Sequence, residues 1–134
     1  MLVEHARNLA GVTDAVHAEY GRPGTEVVSA LACSLDGTDI TLRIRSGTKL
    51  AELHGASSAV VERTTCNYGL NPHFRAAMDA HGMVVSATDE SKEVRAVERI
   101  DHRYFVATLY QPQLRSTREC PHPVFLGLVR AAGS

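Results

Sequence analysis

AVVERTTCNYGLNPHFRAAMDAHGMVVSA, residues 59–87, lays out a strand, a capped helix and a second strand in direct succession. Ala59 to Tyr68 is rich in β-branched and aromatic residues and runs to Gly69, the composition of an extended segment. Asn71-Pro72 then pairs a side-chain oxygen able to accept an orphan amide with a proline whose φ is preset for the first helical position. Phe74, Ala77 and Met78 supply an apolar stripe at helical spacing, Gly82 closes it, and Met83 to Ala87 is extended again. Strands separated by a helix in this way predict an α/β domain.

Downstream, Asp89-Glu90-Ser91-Lys92 is a turn, and Glu93 to Ile100 completes a hairpin with the strand before it. Tyr104 to Tyr110 is a third strand. Pro121-His122-Pro123 leads into a last helix with Val124, Phe125, Leu128 and Val129 on one side. Upstream, Leu2, Val3, Ala6, Leu9 and Ala10 form an amphipathic helix that Gly11 can cap, and Thr13-Asp14 starts a second helical turn. Gly21 to Gly24 is a loop, and Glu26 to Leu35 has the apolar content of a buried extended segment, although its periodicity does not separate strand from helix. Ile40, Leu42 and Ile44 alternate with Thr41, Arg43 and Arg45 as a half-buried strand, and Thr48 caps a short helix that ends at Gly55. There is no repeat, low-complexity tract or linker, so residues 1–134 read as a single domain: a mixed sheet with flanking helices.

Composition narrows the function. The chain has 134 residues, 44% apolar and 22% charged, with a net charge of −1. No apolar run is long enough for a membrane helix, and Glu4, His5, Arg7 and Asp14 interrupt the first twenty residues, so no secretory signal and a cytoplasmic setting are expected. Fourteen basic and fifteen acidic residues are interspersed without a basic run, which argues against nucleic acid and an anionic membrane as partners. Cys33, Cys66 and Cys120 are odd in number and widely spaced, so reduced thiols are expected. No cofactor is implied.

From Ala59 onward, order and spacing resemble the C-terminal half of the glutaminase domain of CTP synthase, a class I glutamine amidotransferase with a flavodoxin-like fold. The resemblance rests on Val61-Glu62-Arg63 running to Tyr68, Asn71 to Gly82, the hairpin, Phe105 to Gln113, and Pro121-His122-Pro123 to Ala132. Glu4-His5-Ala6-Arg7-Asn8-Leu9-Ala10-Gly11 is similar to the helix after that family's nucleophile turn, and Ser46-Gly47-Thr48 to Gly55 to its Pro-Gly-Ser segment. The resemblance places the N-terminal strands and the nucleophile turn upstream of Met1, so 1–134 would be a domain or half-domain lacking them. Such a chain is expected to form a homo-oligomer or to pair with a partner chain.

Glutamine hydrolysis of this kind requires a thiolate, a His to move its proton and a carboxylate to orient that His. The resemblance puts the family His on Gln111 and the family Glu on Gln113. An amide has no accessible pKa, so neither can replace its counterpart. A basic residue that helps hold the substrate carboxylate falls on Asn67. The implied function is a degenerate glutaminase-like domain, a pseudoenzyme that binds a ligand or partner. The alternative is an enzyme completed by an upstream segment or another chain and acting on a substrate other than glutamine.

Each candidate has a plainer reading. Gln111 and Gln113 are a strand end capped by amides, or the rim of a retained small-molecule pocket whose ligand contacts fall on Cys66, Asn67, Tyr68 and Tyr110. Cys66 is a small core residue, or a relocated nucleophile. Cys120 and His122 offer two metal ligands with no second pair, so no metal site is expected, and His122 is simpler as a loop residue with a local hydrogen bond. His5, His17, His54, His73, His81 and His102 are expected on solvated faces. Arg43, Arg45 and Arg63 are expected to face solvent, an anion site being the alternative.

Overall fold

The computed structural model describes residues 1–31, Leu35 and residues 37–133. Among these, four helices, α1 (Leu2–Asn8), α2 (Lys49–Leu53), α3 (Arg75–Ala80) and α4 (Pro123–Ala132), pack around two sheets. The smaller sheet holds β1 (Ala15–His17), β2 (Thr25–Ala30) and β5 (Tyr68–Leu70), with β1 parallel and β5 antiparallel to β2. The larger is wholly antiparallel, in the order β4 (Ala59–Thr64), β3 (Thr38–Ile44), β6 (Met83–Thr88), β7 (Val94–Arg99), β8 (Val106–Thr108). The mixed α/β architecture is therefore present, with its parallel component reduced to β1 and β2.

Local signals account for most boundaries. Thr48 Oγ1 accepts from Ala51 N at the start of α2, and Asn71 Oδ1 accepts from His73 N where a short 3₁₀ turn, Pro72–Phe74, leads into α3. The hairpin β6–β7 turns on Asp89, whose Oδ1 accepts from Ser91 N and Glu93 N. Two apolar clusters fill the interior. Leu2, Ala6, Val27, Leu70, Met78, Met83 and Val97 belong to the first. Ile40, Leu42, Leu50, Ala96, Tyr110 and Val124 belong to the second, under α2 and α4.

Several expectations are corrected. Ala59 to Tyr68 is not one strand: the chain leaves the larger sheet after Thr64 and joins the smaller one at Tyr68, with Gly69 inside β5 rather than at its end. A Cβ at Gly69 would approach Leu31 Cδ2 to 2.7 Å, so a larger residue there would require the Leu31 side chain to shift. Thr13-Asp14 starts no helix but leads directly into β1. The third strand shrinks to Val106–Thr108. On α4 the stripe is not a core face: Val124 and Gly127 are buried, whereas Phe125, Leu128 and Val129 are exposed. Cys33 lies outside the described residues.

Candidate functional site

The chain after β8 runs through Leu109 and Tyr110 to Gln111, at the mouth of a cleft of about 450 Å³. Tyr104, Val106 and Thr108 form one wall, Val124, Phe125 and Leu128 of α4 the other, with Gln111, Pro112 and Gln113 at the rim. Gln111 is anchored at both ends. Its backbone N donates to Arg63 O at 3.1 Å, and its side-chain Oε1 accepts from Thr65 N at 2.7 Å. Gln113 is exposed on the following 3₁₀ turn, Pro112–Arg115.

Of the other candidates, Tyr110 lines this cleft but its ring is buried, and burial together with the nearby Glu62 carboxylate pushes its hydroxyl well above the usual phenol range. Cys66 is half-buried; its N donates to Thr64 Oγ1 and its thiol to Tyr68 O at 3.3 Å. Asn67 serves the loop beyond β2, its O accepting from Leu31 N and its Oδ1 from Leu35 N. Tyr68 turns to the smaller sheet, its ring 5.1 Å from His17. Gln111, Gln113 and Tyr110 thus converge on one cleft, whereas Asn67 and Tyr68 face other neighbours.

Behind Tyr110 lies a polar cluster that the sequence reading missed. Glu62 points inward from β4 and accepts from His122 Nε2 at 2.8 Å, each side chain being only 4% exposed. His122 caps α4, its Nδ1 accepting from Val124 N at 3.2 Å. A nitrogen that accepts an amide hydrogen carries no proton, so the ring is the neutral tautomer protonated at Nε2. His54, at the end of α2, packs edge-on to His122 with centroids 5.5 Å apart. Burial, and secondarily His122, lower its basicity, with Glu62 opposing. The expectation of solvated histidines is thereby corrected for His54, and equally for His5, which is buried against Arg99. His122 makes its local bond as expected but is a core residue as well. The inward phase of β4, which places Glu62 and Thr64 on one face, was the available signal; Val60 and Val61, apolar on opposite faces, obscured it. Arg43, Arg45 and Arg63 are exposed as expected.

No family model matches the chain. Individual proteins do. CTP synthase of Streptomyces coelicolor is 38% identical over 151 residues, and those of Methanoregula boonei and Azospirillum brasilense are 33% and 30% identical. These alignments take in 96–98% of this chain but only 26–28% of the relatives' own length. Among solved structures, a Trypanosoma brucei CTPS glutaminase domain with bound acivicin superposes with a TM-score of 0.92 at 25% identity, covering 98% of this chain and 55% of that one. A putative GMP synthase component from Thermoplasma acidophilum superposes with a TM-score of 0.60 at 12% identity, a likeness of fold alone. With nearly the whole chain aligned to part of the CTP synthases and superposed on a CTPS glutaminase domain, the protein is a domain of the class I glutamine amidotransferase type, related to the glutaminase domain of CTP synthase.

Proposed function

We propose that this chain is a degenerate relative of the glutaminase domain that binds a small molecule or a partner and does not hydrolyse glutamine. The observation that carries this reading is Gln111. It stands where the resemblance puts the proton-moving imidazole, and its Oε1 is occupied by the Thr65 amide. An amide so held can orient a ligand but cannot accept a proton at neutral pH. Gln113, neutral and exposed, cannot orient or stabilise an imidazolium. The neighbouring thiol, Cys66, is turned to a backbone carbonyl. The cleft at Gln111 has the size of a small-molecule site, with apolar walls and amides at the rim.

The purified chain is expected to release no ammonia from glutamine above buffer. Gln111→His combined with Gln113→Glu is expected to remain inactive, because restoring the base without an activated thiol restores nothing. Turnover that persists through repurification overturns the reading. If Cys66→Ser then abolishes that turnover, Cys66 is the nucleophile and the chain is an enzyme.

A further inference from the structure

The interior beneath α2 and α4 holds more polar atoms than it satisfies. His54 Nε2, Glu62 Oε2 and Tyr110 Oη are all buried without a hydrogen-bond partner among the described residues. They surround the Glu62–His122 contact. Because His122 is neutral in its capping tautomer, it does not compensate the Glu62 carboxylate, and no other ion pair reaches Glu62 among the described residues. A buried carboxylate without a counter-charge is costly, so the cluster calls for a cation or a proton.

The geometry points to a divalent transition-metal site formed by His54, Glu62 and His122. One ligand atom from each lies within 4.8 Å of the others. Bonds of about 2.0–2.2 Å bring tetrahedral ligands to about 3.4 Å apart, so metal entry requires His54 to turn inward at the end of α2 and the Glu62–His122 contact, 2.8 Å here, to open by roughly 0.6 Å. Two imidazoles and one carboxylate suit Zn²⁺, Co²⁺ or Ni²⁺ rather than Ca²⁺ or Mg²⁺, which favour all-oxygen sets. Ligation through His122 Nε2 has a structural consequence. The ring proton moves to Nδ1, and the 3.2 Å bond from Val124 N is lost, so metal loading is coupled to the first turn of α4. The three ligands come from three separated elements, the end of α2, β4 and the cap of α4, so a bound ion ties them together.

The test is titration of the full, chelator-treated chain with Co²⁺, followed by its visible d–d absorption, and then with Zn²⁺ as competitor. One ion per chain is expected, with a raised melting temperature. His54→Ala leaves the Glu62–His122 pair in place and is expected to weaken binding by ~10-fold or more. Glu62→Gln should do the same, its circular dichroism confirming the fold. A variant with Cys33, Cys66 and Cys120 all replaced by Ser is expected to bind normally. The proposal is overturned by the absence of stoichiometric uptake, which is the result if Glu62 and His54 instead share a proton. It is equally overturned if uptake survives His54→Ala or is lost in the cysteine-free variant.

Discussion

Arg95 is buried on β7, with its Nε donating to Asp89 Oδ2 at 2.8 Å, while the other oxygen of Asp89 closes the hairpin turn. One carboxylate thus both compensates a buried guanidinium and holds the β6–β7 connection. Removing one partner of a buried pair leaves the other charge uncompensated, which typically costs about 3–5 kcal/mol. Asp89→Ala is expected to fall in that range, and Asp89→Asn, which keeps an acceptor for the turn, to cost less. Urea unfolding with an unchanged slope measures both; a loss below about 1 kcal/mol for Asp89→Ala would show that the pair matters little. His5 gives a pH-dependent counterpart. Burial, then the Arg99 guanidinium and His81, hold its basicity below the ordinary value of 6.5, with Asp101 and the Met78 backbone opposing. The unfolded chain therefore binds the proton more readily, so His5 contributes stability above that ordinary value that is lost as pH falls toward the lowered one. Melting temperature is expected to drop less between about pH 7.5 and 5.5 in His5→Asn than in the parent. An identical drop would mean that the ring is as easily protonated folded as unfolded. At this scale the sequence was least legible: nothing in the spacing of His5, His54 or His122 separates a core histidine from a solvated one, because burial is decided by elements distant along the chain.

The elements themselves were more readable, and the exceptions have physical causes. Thr48 and Asn71-Pro72 start their helices as local chemistry dictates, and the β6–β7 hairpin forms around its turn residues. Residues 59–68 read as one strand because both halves have strand composition, whereas the break at Thr65–Asn67 is set by partners far along the chain: Gln111 on Thr65, Leu31 and Leu35 on Asn67. β1, only three residues long, has too little sequence for any period to appear. On α4 the apolar spacing marked a helix correctly but not its buried side. That side is fixed by Gly127, where a Cβ would come within 2.4 Å of Leu53 Cδ2 and 2.9 Å of Tyr104 Cε2. Tyr104 cannot readily yield, since its hydroxyl donates to Val124 O at 2.6 Å. An Ala in a helix interior ordinarily gains about 1 kcal/mol over Gly. Here overpacking is expected to reverse the sign, with Gly127→Ala destabilising by about 1–3 kcal/mol. Leu53→Ala in the same chain should recover part of that loss, and additivity of the two substitutions in thermal unfolding would show that they do not meet.

At the scale of the whole molecule, two features coincide on one side. β8 pairs only with β7 among the described residues, so its other edge is open. Beside it α4 presents Phe125, Leu126, Leu128 and Val129, the last 70% exposed, and the cleft lined by Val106, Thr108, Phe125 and Leu128 joins the edge to the helix. Open strand edges invite pairing, and a contiguous apolar patch beside one supplies the driving force, at roughly 25 cal/mol per Å² buried before association costs. A second copy carries the same edge and the same patch, which a twofold axis can bring together. The expected outcome is a dimer by light scattering coupled to size exclusion at low micromolar concentration. Val129→Glu with Leu128→Glu should shift it to monomer while leaving the hairpin and both apolar clusters intact, since neither side chain belongs to either cluster. A dimer unaffected by these charges would place the interface elsewhere. A cooperatively unfolding monomer in the parent chain would show that this side tolerates water, and that association is not how the protein covers it.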